Sequence, residues 1–126
     1  MRTPPLILIV DDNPANVEIL QMRLAANNYE IITASDGEEG LTKARNNQPD
    51  LILLDIMMPK KDGYEVCQTV RQDPELKDTH IILLTAKGQE TDRSRGASSG
   101  ALYYITKPFD PDHILELAKK LLHLEQ

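Results

Sequence analysis

Five side chains in this 126-residue sequence are of the types that bind hard cations or move phosphoryl groups, and each stands at the end of a short run rich in apolar residues. Asp11 and Asp12 follow LILIV (Leu6 to Val10), and Asp55 follows LILL (Leu51 to Leu54). Thr85 follows IILL (Ile81 to Leu84), and Lys107, itself followed by Pro108, comes after LYYIT (Leu102 to Thr106). Taken singly, each has an ordinary structural reading. An Asp after a strand is a turn or cap residue, a Thr ends a strand, and a surface Lys is simply solvated. Their recurrence after four separate runs argues instead for convergence on one edge of a sheet. Three carboxylates gathered there would repel: at ~4 Å and an effective dielectric near 20, a like-charge pair costs about 4 kcal/mol. A cation should therefore join them. Oxygen donors without His or Cys select a hard ion, and Mg2+ suits a shallow site of a few carboxylates that keeps several waters. A carboxylate beside Mg2+, a lysine and a hydroxyl is equipped for phosphoryl transfer. The positive groups neutralise phosphoryl oxygens, and the Asp can act as nucleophile.

Other chemistries find less support. His80, His113 and His123 lie far apart and read as surface or helix-end residues, so zinc and iron are poor candidates. Lys87-Gly88 lacks the preceding glycine loop of a Walker sequence, so nucleotide binding is not indicated. Cys67, the single cysteine, sits in a helix-like stretch and reads as a small buried hydrophobe.

The elements that must position these residues follow from periodicity. The three apolar runs before Asp11, Asp55 and Thr85 read as strands buried on both faces, as in a parallel sheet. Glu30 to Ala34 and Leu102 to Thr106 mix apolar and polar residues and read as the edge strands. Helix-length segments separate them. Pro14 to Asn27 places Val17, Leu20 and Leu24 on one face, with Pro14 in the first turn. A second helix after Asp36 and Gly37 carries Leu41 and Ala44, and a third spans Gly63 to Gln72 with Asp62 as its cap. A fourth, from about Gln89 to Ser99, has few apolar residues and an internal Gly96, and is expected to be the least stable. The last starts at Asp110 and Pro111 and buries Ile114, Leu117, Ala118, Leu121 and Leu122. Five strand–helix alternations predict a flavodoxin-like (βα)5 doubly wound α/β fold with strand order 2-1-3-4-5. The crevice of such a sheet lies at the carboxyl ends of its strands.

Length and 40% hydrophobic residues fit one domain spanning residues 1–126, with no effector domain expected in this chain. No run reaches the ~20 apolar residues of a membrane helix and MRTPP lacks a signal-peptide core, so a cytoplasmic protein is expected, with no membrane partner. A net charge of −6 without a basic stripe argues against direct nucleic-acid binding.

Four stretches, ILIVDDNPAN, DLILLDIMMPKKDGYEV around Asp55, IILLTAKG at Thr85 and GALYYITKPF at Lys107, together resemble the CheY-like receiver domains of two-component response regulators over essentially the whole chain. The resemblance implies that Asp55 is the phosphoacceptor and that Mg2+ is held by Asp12, Asp55 and the Met57 backbone carbonyl, with Asp11 acting through water. It further implies that Thr85 and Lys107 contact the phosphoryl oxygens and that Tyr104 is the switch aromatic. Met57 and Lys87 would stand where the family tunes acyl-phosphate lifetime, and slow self-dephosphorylation is expected of them. The donor would be the phosphohistidine of a sensor histidine kinase or a histidine phosphotransfer domain. Output would pass through the surface of the fourth helix, fifth strand and fifth helix to a downstream effector protein or fused domain. The chain departs from many transcription-factor receivers at Leu102 and Tyr103, where an acidic pair is usual, and at Lys119 and Lys120, where arginines are usual. The charged dimer face of those regulators is therefore not carried over.

On this reading the chain is not an enzyme. Two other functions remain open: a haloacid-dehalogenase-type phosphatase, whose D-x-D pattern would here start at Asp11 and meet Asn13, and a receiver-like scaffold that is never phosphorylated.

Overall fold

The three central strands carry apolar side chains on both faces because neither face of the sheet meets water. The computed structural model describes residues 4–56, 63–85, 103–106 and 109–123. Strands β1 (Leu6–Val10), β2 (Glu30–Ala34), β3 (Leu51–Asp55), β4 (His80–Thr85) and β5 (Tyr103–Thr106) alternate with helices α1 (Pro14–Ala25), α2 (Gly37–Asn47) and α3 (Gly63–Gln72). The last helix, α4 (Pro111–His123), is the fifth of those expected from sequence; the weak helix expected near 89–99 falls outside the described residues. All strand pairs are parallel and the order is β2-β1-β3-β4-β5, as the apolar patterning predicts. β2 and β5 are the edges, which accounts for their mixed composition.

Alternation along each strand divides the core in two. Ile7, Ile9, Leu51, Leu53, Ile82 and Leu84 face α1 and α4, which contribute Leu20, Leu24, Ile114 and Ala118. Leu8, Val10, Ile52, Leu54, Ile81 and Leu83 face α2 and α3, which contribute Leu41, Ala44, Val66 and Val70. Cys67 is fully buried in this second layer, as a small hydrophobe should be. Val17 and Leu117 are only partly buried, whereas Leu115 is buried, so the apolar face of α4 is wider than the anticipated stripe.

Local signals set the helix starts. Asn13 caps α1, its side chain accepting from the Ala15 and Asn16 amides, and Pro14 takes the position where a missing N–H costs nothing. Asp36 caps α2 through the Glu39 amide at 2.8 Å, and Asp110 accepts from the Asp112 amide at the start of α4 at 2.9 Å. After α1 the chain reverses at Asn28, whose φ of 70° is a left-handed conformation that Asn tolerates, and enters β2. α2 ends on Gln48 in the same region, at φ 47°. Asp62, expected to cap α3, lies outside the described residues.

Candidate functional site

Parallel register brings the chemically competent residues to one edge. Val10 pairs with Leu54, so Asp11 emerges from β1 beside Asp55, the last residue of β3. Asp55 pairs in turn with Leu84, which puts the backbone of Thr85 one residue further along β4. Thr85 pairs with Thr106, the residue before Lys107. The fold thus orders these strand ends in space as the sequence patterning requires.

Carboxylate oxygens of Asp11, Asp12 and Asp55 all lie within 4.8 Å of one another. Among the described residues this is the single group of three or more His, Cys, Asp or Glu close enough to share an ion. Asp11 and Asp55 are 2% and 4% exposed, while Asp12 is open to solvent. Two nearly buried carboxylates with a third at the rim form a donor set of oxygens only, carrying more negative charge than the fold has reason to assemble for packing. Asp11 and Asp12 also line a cleft of about 320 Å3 between α1 and α2, with Glu18, Ser35 and Lys43 among its other walls. Charge and donor chemistry fit Mg2+.

Asp11 is held from its own loop. The Asn13 amide donates to Asp11 Oδ1 at 2.9 Å, and Asn16 Nδ2 makes a longer contact of 3.5 Å to Oδ2. Sequence reasoning missed this supporting role of the α1 cap. The signal was present, since an Asn immediately before Pro14 is a strong N-cap pattern and a cap residue's own amide faces back toward the preceding strand end. Across the cleft, Glu39 accepts from the Ser35 amide at 2.8 Å and the Ser35 hydroxyl at 3.0 Å, and pairs with Lys43 at 3.2 Å. The Ser35 amide, then its hydroxyl, then Lys43 hold the Glu39 carboxyl below the usual glutamate range, against a smaller opposing effect of burial. Lys43 also donates to the Thr33 carbonyl at 2.5 Å, which ties α2 to the end of β2.

Of the residues named from sequence, Asp11, Asp12 and Asp55 are brought together, and Tyr104 lies half-buried in β5 against the layer that covers α2 and α3. Thr85 ends β4 as expected. Met57, Lys87, Lys107 and Pro108 fall outside the described residues. The histidines are elsewhere. His80 opens β4 at the opposite edge, His113 is exposed on α4, and His123 ends that helix, with Nε2 at 2.7 Å from the Tyr29 hydroxyl. Burial raises the Tyr29 hydroxyl above its ordinary pKa.

Comparison with known proteins agrees with this geometry. The chain is 47% identical over 116 residues to the alkaline phosphatase synthesis transcriptional regulatory protein PhoP of Bacillus subtilis, covering 92% of this chain and 48% of PhoP. It is 44% identical over 118 residues to the DNA-binding dual master transcriptional regulator RpaA of Synechocystis, covering 94% of this chain and 49% of RpaA. The chain therefore spans about half the length of these curated relatives. Among solved structures, the chemotaxis response regulator CheY4 of Vibrio cholerae superposes with a TM-score of 0.87 at 32% identity, covering 94% of this chain and 98% of that one. No helix among the described residues is long and apolar enough to cross a membrane. The profile of the response regulator receiver domain matches residues 7–119, and the chain belongs to that family of two-component signalling domains.

Proposed function

We propose that the chain is the phosphoacceptor of a two-component phosphorelay, with Asp55 as the residue modified. The observation that carries this reading is the position of Asp55: nearly buried, at the end of the central strand, with a carboxylate oxygen within 4.8 Å of both Asp11 and Asp12. A bound Mg2+ would offset the charge of these three acids and of the incoming phosphoryl oxygens. Asp12, Asp55 and the Met57 carbonyl would hold it, with Asp11 acting through water. An Asp55 carboxylate oxygen attacks the phosphorus of a phosphohistidine, the P–N bond breaks, and the imidazole leaves with its electron pair. Asp55 becomes an acyl phosphate. Thr85, which ends the neighbouring strand β4, and Lys107, which follows β5 in sequence, would supply a hydroxyl and an ammonium for the transferred oxygens.

The added charge of about −1.5 to −2 draws the Thr85 hydroxyl inward, and Tyr104 follows into the space behind it. The surface of the fourth expected helix, β5 and α4 then presents a different face to a downstream effector or fused domain. Phosphorylation selects this state because only there does Thr85 donate to the phosphoryl group. The donor is a sensor histidine kinase or a histidine phosphotransfer domain.

Intact mass after exposure to acetyl phosphate and Mg2+ tests the reading. The expected result is a gain of one phosphate in the wild-type chain and none in Asp55→Asn. A phosphate gained equally by Asp55→Asn, or no gain in either protein, contradicts it.

A further inference from the structure

Gly63, the first residue of α3, is pressed against the backbone of the residue it would help to position. A Cβ built on Gly63 would lie 2.7 Å from the Asp55 carbonyl oxygen and 2.8 Å from the Ile56 Cα, closer than real Cβ atoms come. Its φ is outside the left-handed region, so this glycine is not required for backbone freedom. What the position requires is the space that a methyl group would fill. The Gly63 amide also donates to the Ile56 carbonyl at 3.0 Å, which ties the start of α3 to the residue after β3.

Neither side of this contact can yield easily. Asp55 is fixed laterally by its register with Leu84, and the Ile56 amide continues that pairing by donating to the Leu84 carbonyl at 3.1 Å. α3 is anchored by Tyr64, Val66, Cys67 and Val70, all at most 2% exposed. We propose that Gly63 is a positioning residue for Asp55: its missing side chain lets α3 seat directly on the β3 terminus and sets where the Asp55 carboxylate stands relative to Asp11 and Asp12. The inference rests on the assignment of Asp55 as phosphoacceptor in a Mg2+ site.

A matched control exists in the same molecule. Gly40 is also buried in the first turn of a helix, and a Cβ there would lie 3.0 Å from both γ-methyls of Val10. Val10 immediately precedes Asp11, so this contact is equally near the site in sequence. The difference is that Gly40 meets the tip of a side chain and Gly63 meets main chain. A crowded side chain can rotate or lean, with a cost in stability, whereas a crowded backbone at residue 55 must move the carboxylate itself. Displacement by ~1 Å costs as much as about 100-fold in a reaction that depends on placement.

Three readouts on the full chain test this: Mg2+ affinity, the rate of phosphorylation by acetyl phosphate, and thermal melting, each for wild type, Gly63→Ala and Gly40→Ala. Gly63→Ala is expected to weaken Mg2+ binding and slow phosphorylation by about 10-fold or more. Gly40→Ala should lower the melting temperature yet stay within about 2-fold of wild type in both site readouts. A purely structural role for Gly63 would lower melting alone, and that outcome overturns the proposal. Should Gly63→Ala fail to fold, amide exchange in the wild-type chain decides. Saturating Mg2+ is expected to slow exchange of the Gly63 amide, bonded to the Ile56 carbonyl, more than that of the Gly40 amide, bonded to the Asp36 carbonyl at 2.9 Å, which feels only the general gain in stability. Equal behaviour of the two amides overturns the proposal. A wild-type chain that binds no Mg2+ and takes up no phosphoryl group overturns the underlying assignment, and the role of Gly63 with it.

Discussion

The two edges of the sheet use aspartate in opposite ways. At the amino edge, Asp50 Oδ2 accepts from the Leu6 amide at 2.8 Å, and its backbone amide donates to the Leu6 carbonyl, also at 2.8 Å. Its carbonyl accepts from the His80 amide, so one residue stitches the starts of β1, β3 and β4 together. Around it, the Thr79 hydroxyl donates to the Pro49 carbonyl, and Arg71 donates to the carbonyls of Lys77 and Thr79. At the carboxyl edge, Asp11, Asp12 and Asp55 point oxygens at one another within 4.8 Å. The first arrangement pairs acceptors with donors across three strands and stabilises the fold. The second concentrates like charge, which costs stability and which a bound cation would offset. Within one parallel sheet, then, the amino ends pair their polar groups across strands, and the carboxyl ends gather like charge.

That contrast breaks if substitutions at the two edges have the same sign. The largest effect without ligand is expected at Asp50→Ala. It removes the acceptor of the Leu6 amide and should destabilise by about 2 kcal/mol, the usual cost of losing a hydrogen bond to a charged group. Urea denaturation reads this as a lower midpoint at unchanged slope. Asp12→Ala, measured the same way without Mg2+, should do the reverse and stabilise by about 1 kcal/mol, the Coulomb cost of one such pair near the solvent limit. A loss of stability in Asp12→Ala would mean that the trio is a packing feature.

A smaller effect sharpens the same comparison at the rim of the cleft. The Glu39 carboxyl is held below its ordinary pKa chiefly by the Ser35 amide. A carboxyl with a lowered folded pKa contributes stability above its unfolded pKa and loses it as pH falls through the folded value. Glu39→Gln should therefore be less stable than wild type at neutral pH, by under about 1 kcal/mol. The two denaturation curves should converge as pH drops below the usual glutamate range. A difference that persists undiminished in acid would assign the effect to side-chain shape instead of charge.

Much of this organisation is legible in the sequence, and the exceptions share a cause. LILIV, LILL and IILL read as central strands because only burial on both faces accounts for unbroken apolar runs, and the strand order follows from which runs are mixed. Asp11, Asp12 and Asp55 were legible as one site because parallel strands place all their carboxyl ends together. What could not be read depends on contacts between distant positions. The Asp50 bond to Leu6 spans 44 residues, and the Tyr29–His123 pair spans 94. Neither has a local pattern to announce it. The contact of Gly63 with the Asp55 backbone is of the same kind: from sequence Gly63 reads as the first residue of a helix capped by Asp62, while its function is the space it leaves above another strand. Leu115 escaped because the apolar stripe of α4 was drawn through Leu117, and the face that packs on the core is wider than that stripe.

The claim that the carboxyl edge is a cation site is tested most directly by the melting temperature as a function of Mg2+, in wild type and in Asp12→Ala. At ~100 times the dissociation constant, binding to the folded state alone should add about 2.7 kcal/mol. For a chain of this size that is a rise of roughly 5 to 15 °C in wild type. In Asp12→Ala the rise should be much reduced and require far more Mg2+. A wild-type melting temperature that ignores Mg2+, or an Asp12→Ala titration that overlays wild type, would contradict the account.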